Sequence, residues 1–244
     1  MKTAVGIAAA LALAGQAHAI TAFSIGSIGG ADPGFAPNES SVVSFDGPSA
    51  AGVAETDNGP GGSVALFTST VVDLAAAPVG DTTRFQAIQP GGVAKFDFTH
   101  YAPGVGSLSV YVGSIDSYNM FVIGTNSKNY FYNGNGFQHH DGDEVSHLTN
   151  RRVYFQFSPS EIFRSITFSS GGIAFEYDSL AAQSYPGASP PWSPTGPDVQ
   201  VLLWSRESDV SSPVSVPEPA TWAFMLTGLA SVGGMLRRRR VRTA

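Results

Sequence analysis

Short runs of residues that alternate between apolar and polar, separated by glycine and proline, limit the fold of this chain more than any other feature. The alternation has a period of about two in residues 93–98 and 107–112, which sends successive side chains to opposite faces of a β-strand. The 28 glycines and 16 prolines supply turns and interrupt helices. The pattern therefore predicts an all-β domain.

Similar strand-like runs recur along the middle of the chain, with turn dipeptides such as Asn133-Gly134 between them. Each alternating strand has one apolar face, so two sheets must bury those faces against each other. We therefore expect a β-sandwich, jelly-roll-like in topology, over residues 20–187, with a loop-rich start at 20–60. That start opens on a strand-like run at 20–23 and holds one or two short strands in 23–60. The other predicted strands are 63–72, 83–88, 93–98, 107–112, 121–124, 129–132, 152–157, 165–168 and 173–178.

Residues 188–216 are rich in proline and serine, with four prolines in 188–197. Proline removes a backbone donor and favours extended structure, so this stretch is predicted to be a linker. We expect a last strand at 199–204 and a polar stalk at 205–216.

The cysteine count and the charge balance exclude several classes of protein. The chain has no cysteine, which excludes disulfides, thiolate metal sites and a cysteine nucleophile. Between Ile20 and Val216 there are 7 basic and 18 acidic residues, a net charge of −11. Such a domain repels nucleic acid at neutral pH, so no nucleic-acid partner is expected.

The N-terminus has the three parts of an export signal. Lys2 precedes an apolar run at 4–15, and the small residues Ala17 and Ala19 follow it. We therefore expect residues 1–19 to be a signal peptide that signal peptidase removes after Ala19. The alternative, a short buried helix, fits the small-residue ending less well.

The C-terminus carries an apolar segment followed by arginines. Residues 220–236 contain no charge and would span about 25 Å as a helix, the low end for crossing a bilayer. The arginines behind them should stay in the cytoplasm, which places the domain outside the inner membrane. These residues are Arg237, Arg238, Arg239, Arg240 and Arg242.

Together these terminal residues resemble a known sorting signal. Pro217, Glu218 and Pro219, then Trp222, a short apolar helix and terminal arginines are similar to the PEP-CTERM tail of Gram-negative bacteria, in its PEP-x-x-Trp-Ala variant. The resemblance covers residues 217–243 of the 217–244 tail. It implies that an exosortase recognises the Pro-Glu-Pro segment, cuts near it, and leaves the domain at the cell surface or releases it. An ordinary single-span anchor is the alternative.

No enzyme signature stands out in the sequence. The Gly-x-Ser-x-Gly elbow, the H-E-x-x-H zinc motif, the P-loop and the dinucleotide fingerprint are all missing from it. The carboxylates are scattered along the chain, so spacing alone nominates no acid–base pair. We expect no catalytic residue and no obligatory cofactor.

Two groups of acids are candidate Ca²⁺ ligands, because calcium takes carboxylate oxygens in extracellular modules. The first is Asp141, Asp143 and Glu144, for which a solvated turn is the alternative. The second is Glu176 and Asp178, which lie two apart and so share one face of a strand. The alternative there is an ordinary strand with its acids in solvent and its aromatics inside.

A polar loop and a tryptophan are candidate sugar-binding residues. Asp116, Tyr118 and Asn119 combine a ring with groups that bond hydroxyls, as sugar sites do. Trp192 could stack on a polysaccharide if it is exposed. The alternatives are a plain turn and local packing.

Three functions remain in competition. The expected one is a non-enzymatic exported protein with a structural or adhesive role in the envelope or exopolysaccharide matrix. A carbohydrate-binding module, calcium-dependent or not, is the first alternative. A secreted hydrolase is the second.

Overall fold

A computed structural model describes residues 20–58, 63–101, 104–184 and 198–209. The chain divides into two compact units, Met1–Val210 and Ser211–Ala244, and every described residue lies in the first. The expected signal peptide, Trp192 and the sorting tail, with its helix at 220–236, lie outside the described residues. Across the four described ranges, no helix is long and apolar enough to cross a membrane.

The described chain is built from β-strands, as the alternation predicts, with one short 3-10 turn at Gly134–Gly136. The strands are β1 (Ile20–Gly26), β2 (Ser40–Val43), β3 (Ala54–Asn58), β4 (Val64–Phe67), β5 (Phe85–Ile88), β6 (Val93–Asp97), β7 (Val105–Val112), β8 (Asn119–Thr125), β9 (Lys128–Asn133), β10 (Arg151–Phe157), β11 (Phe163–Ser170), β12 (Phe175–Ser184), β13 (Val199–Leu202) and β14 (Arg206–Asp209).

The strands form two antiparallel sheets. The eight-stranded sheet has the order β13-β1-β10-β7-β12-β5-β4, with β2 also paired to β12. The six-stranded sheet has the order β14-β9-β8-β11-β6-β3. From β5 to β8, each successive strand lies in the opposite sheet, and the same holds from β9 to β12.

One aromatic core fills the space between the sheets. Phe121 of the six-stranded sheet meets Phe175 of the other sheet edge to face, with ring centroids 5.0 Å apart. Phe168 stacks on Tyr177 at 4.0 Å. All four rings are buried, and such offset or edge contacts stabilise a core beyond the area they bury. The expectation of an all-β fold with two packed sheets is confirmed.

One strand prediction fails, at the C-terminal end of the domain. The start at 20–60 holds the strand-like run at Ile20 as part of β1, followed by the two short strands β2 and β3. β1 and β3 pair along their full lengths with β10 and β6. The stalk predicted at 205–216 begins with a strand, since β14 pairs with β9. Polar sequences such as Arg206–Asp209 form edge strands when a neighbouring strand offers free backbone groups.

Two loops cover the outer face of the eight-stranded sheet. The β1–β2 loop, residues 27–39, crosses β10 and β7 and is bonded to both. The β4–β5 loop, residues 68–84, crosses the end of β12. Both faces of this sheet are therefore buried near its centre, and the candidate site lies beneath these loops.

Candidate functional site

A layer of buried polar residues lies on the outer face of the eight-stranded sheet. Its centre is Arg152 of β10, whose side chain is wholly buried. The guanidinium donates to Asp32 Oδ1 at 2.6 Å through Nε and to Asp32 Oδ2 through Nη2. It also donates to Ser109 Oγ at 3.1 Å and to the Ser179 carbonyl at 3.0 Å. Every guanidinium nitrogen thus has an acceptor, as a buried cation requires.

Glu39 extends this layer at the end of the β1–β2 loop. Its Oε1 accepts a hydrogen bond from Ser107 Oγ at 2.8 Å, and its Oε2 accepts bonds from Ser109 Oγ and from the Ala36 N–H at 3.0 Å. Burial raises the pKa of Glu39, while these donors and Arg152 oppose the rise. The carboxylate therefore fastens the loop to β7.

Glu176 lies in the same layer, on β12, and is only 2% exposed. Its Oε1 accepts from the Ala76 N–H at 2.9 Å and its Oε2 accepts from Ser114 Oγ at 2.7 Å. Burial raises its pKa, and the two donors oppose the rise. Each oxygen of this carboxylate has a partner, so Glu176 holds the β4–β5 loop against the sheet.

The structure overturns the alternative in which the acids of β12 face solvent. Glu176 and Asp178 do share one face, with Phe175 and Tyr177 on the other, but the acid face is also covered, since Asp178 is 7% exposed. Alternation predicts which residues share a face and does not reveal that a distant loop covers it.

Asp178 differs from Glu176 in its partners. Its Oδ2 lies 3.3 Å from the Thr83 hydroxyl, while its Oδ1 is buried without a hydrogen-bond partner. Burial raises the pKa of Asp178 to about 7, and the negative charges of Asp81 and Asp46 add to the rise. Hydrogen bonds from the Ser179 backbone and the Thr83 hydroxyl oppose the rise in pKa without cancelling it. A carboxyl that titrates near neutrality with one bare buried oxygen is the most unusual group in the described layer.

The first group of predicted calcium ligands lies on an exposed loop. Asp141, Asp143 and Glu144 are all exposed. Asp143 Oδ1 accepts from the Val145 N–H at 3.0 Å and from Ser146, which is the geometry of a turn. Among the described residues, no group of three or more His, Cys, Asp or Glu side chains is placed to hold a metal ion.

The predicted sugar-binding loop uses its polar groups internally. The Tyr118 hydroxyl lies within hydrogen-bond distance of Asp116 Oδ2 and of the Ile173 carbonyl. Asn119 is fully buried; its Oδ1 accepts from the Asp116 N–H, and its Nδ2 donates to the Ala174 carbonyl at 3.3 Å. The structure therefore places Asn119 where it shapes the loop, out of reach of a ligand.

The residues that organise this face are not among those that the sequence pattern predicts. Arg152 and Tyr154 lie on β10 on the face opposite to Val153 and Phe155, which are in the core. A charge at such a position ordinarily indicates solvent. Asp32, Glu39 and Asp81 lie in loops with no regular pattern. No signal in a single sequence pairs Arg152 with an acid 120 residues away.

The comparisons with known proteins concern the C-terminus. Residues 215–240 match the family model of the PEP-CTERM protein-sorting motif, and no curated protein is significantly similar to the chain. The matched segment contains Pro217, Glu218, Pro219 and Trp222, so the expected sorting tail is confirmed. The chain therefore carries the PEP-CTERM signal of exported surface proteins that an exosortase sorts.

Proposed function

We propose that this protein is a non-enzymatic structural or adhesive component of the cell envelope or the exopolysaccharide matrix. The observation that carries the proposal is the PEP-CTERM motif at residues 215–240, which assigns the chain to sorting at the cell surface. A net charge of −11 between Ile20 and Val216 suits a protein exposed outside the cell.

The processing steps follow from the two ends. Signal peptidase removes residues 1–19, and the mature chain begins at Ile20. Ile20 supports this start because it is 1% exposed and pairs with Phe157 in β1 and β10. In the precursor, residues 220–236 cross the inner membrane and the arginines that follow stay in the cytoplasm. Exosortase then separates the domain from this helix.

We assign the domain to the jelly rolls, on the strand order. Four of the eight central strands lie in the order β5-β12-β7-β10 in one sheet, and the other four lie in the order β6-β11-β8-β9 in the other. This pattern is two interleaved Greek keys. Jelly rolls serve as capsid and lectin domains, which is compatible with a structural or adhesive role by analogy of fold alone.

The covered polar face favours a structural role over a catalytic one. Glu176 and Glu39 accept hydrogen bonds at both oxygens and fasten loops to the sheet. A general acid or base must instead reach a substrate proton, directly or through one water. The buried carboxylates with full sets of donors are therefore better suited to holding this domain rigid at the surface.

Mass spectrometry of the surface protein tests the sorting part of the proposal. In cells with the exosortase we expect a mature chain that begins at Ile20 and ends near Pro217–Pro219; in cells without it, the tail should remain. Replacing Pro217, Glu218 and Pro219 together by alanine should reproduce the second result. Pro213→Ala, a proline just outside the matched segment, is the control and should leave processing unchanged.

The structural or adhesive role needs a separate experiment. A strain that lacks the protein should form a weaker matrix or lose cell–cell adhesion, and the wild-type chain should restore it. The purified protein should co-sediment with the strain's own exopolysaccharide without shortening it. Turnover of that polysaccharide would contradict the non-enzymatic role and favour the hydrolase alternative.

A further inference from the structure

Two carboxylates on the covered face share one hydroxyl and have oxygens without partners. The Thr83 hydroxyl lies 2.7 Å from Asp81 Oδ1 and 3.3 Å from Asp178 Oδ2. The remaining oxygens, Asp81 Oδ2 and Asp178 Oδ1, are both buried without a hydrogen-bond partner. Native structures leave few such atoms, and each one calls for a donor, a proton or a cation.

The shared hydroxyl cannot satisfy both acids, because it carries a single proton. The shorter distance assigns that proton to Asp81, whose Oδ1 also accepts from the Thr83 N–H at 2.8 Å. Asp178 Oδ2 is left with the longer 3.3 Å contact to this hydroxyl and a hydrogen bond from the Ser179 backbone, neither of which reaches its bare Oδ1. The carboxylates of Asp81 and Asp178 thus lie close together around the Thr83 hydroxyl, whose single proton cannot serve both of them.

The charges around Asp178 do not supply compensation. Asp81 and Asp46 both act on Asp178 as negative charges. Arg84 lies 3.5 Å from Asp46 at a half-exposed position, and the buried Arg152 pairs with Asp32. A proton on Asp178 would neutralise one acid and still leave a bare buried oxygen on Asp81. A divalent cation between them would satisfy both bare oxygens at once.

We propose that Asp81 and Asp178, with the Thr83 hydroxyl, form a binding site for Ca²⁺. The ligands are all oxygen, which Ca²⁺ prefers, and its flexible coordination lets water complete a set that the protein supplies only in part. Asp81 and Thr83 belong to the β4–β5 loop and Asp178 belongs to β12, so the ion would tie this loop to the sheet. The inference does not depend on the proposed surface role.

Calcium titration of the full-length chain, purified in mild detergent and stripped with EDTA, tests this site. Isothermal titration calorimetry should find one ion per chain, with a Kd of about 10⁻⁴ to 10⁻³ M, as in extracellular modules. Thermal unfolding should shift to higher temperature with Ca²⁺ at ~10 mM, since a ligand that binds only the folded state stabilises it. Asp178→Asn and Asp81→Asn should each weaken binding about tenfold or more.

The control is Asp73→Asn, on the same loop. Asp73 is exposed and has a φ of 59°, a conformation that asparagine tolerates, so this variant should bind Ca²⁺ as the wild type does. If Asp178→Asn does not fold, the Ca²⁺ affinity of Asp81→Asn tests the site instead, because Asp81 is only partly buried and its substitution should leave the fold intact. A wild type that gives no heat and no thermal shift with Ca²⁺ overturns the proposal, as do Asp81→Asn and Asp178→Asn variants that bind normally.

Discussion

Replacing Asp32 by asparagine should destabilise the domain, because it removes the charge that compensates a buried arginine. The Arg152 side chain has no exposed surface, and the Asp32 side chain is 30% exposed. Asp32→Asn keeps the size of the side chain and one acceptor oxygen. It leaves the guanidinium with only neutral acceptors, on the asparagine, Ser109 and Ser179.

The expected loss in the free energy of unfolding is about 3 kcal/mol. Removing one partner of a buried ion pair costs roughly 3–5 kcal/mol, because the other charge stays desolvated. The partial exposure of Asp32 places this pair at the lower end, since water can enter beside the asparagine. In an Arg152→Met background the same Asp32→Asn change should cost less than about 1 kcal/mol, because no charge is left to compensate.

Urea unfolding of the four proteins in this cycle measures the effect, with the slope of the transition checked for constancy. Lys128→Ala is the comparison, since it breaks an ion pair with Glu207 in which the side chains are 37% and 43% exposed. Exposed pairs contribute about 0–1 kcal/mol. If Asp32→Asn costs no more than Lys128→Ala, the buried pair does not hold the β1–β2 loop and the reasoning is refuted.

Three further changes have definite expected outcomes. Gly134→Ala should cost about 3 kcal/mol in urea unfolding, because its Cβ would lie 1.7 Å from the Asp116 carbonyl oxygen, whereas Gly136→Ala, with 3.8 Å of room, should be nearly neutral. Phe121→Ala should cost about 3–5 kcal/mol by the same assay, since it empties the centre of the aromatic core. With a chelator present, the free energy of unfolding of the wild type should fall by up to about 4 kcal/mol between pH 4 and 7. Folding raises the pKa of Asp178 from 3.8 to about 7, so as the pH rises the unfolded chain gives up this proton before the folded chain does, and unfolding becomes easier. Asp178→Asn should reduce that loss, with a remainder from the raised pKa values of Glu39 and Glu176. A wild-type stability that rises over the same range would contradict the shift.

The fold class could be predicted from the sequence because each long strand carries its own alternation. Residues 93–98 and 107–112 show it, and they correspond to β6 and β7, from which Phe96, Leu108 and Val110 enter the core. The short strands β2 and β3 near the start of the domain carry less of this alternation. β3 has the sequence Ala-Glu-Thr-Asp-Asn, and it is a strand because β6 pairs with it. Tertiary pairing overrides local preference in such segments.

The covered polar face could not be predicted, for a different physical reason. Glu176 and Asp178 are equivalent in the local pattern, two apart on one face of β12. Their environments differ because different groups contact each one. Glu176 accepts hydrogen bonds from two donors, whereas Asp178 shares the Thr83 hydroxyl with Asp81. The path of a loop across a sheet is decided by residues more than 90 positions away, and the period of a strand contains no information about it.

The same covered face explains how a domain without cysteine can keep long loops in order outside the cell. The Arg152–Asp32 pair and the carboxylates of Glu39 and Glu176 join two loops to three strands, β10, β7 and β12. A secreted protein often uses disulfides for such links. Ionic links of this kind hold only while both partners are buried and paired. At the opposite side of the fold, β14 pairs with β9 alone and its residues are largely exposed. If the chain is held at the surface through residues beyond Asp209, a pulling force therefore acts first on β14, its most weakly held strand. β14 would detach before the force reached the core or the covered face.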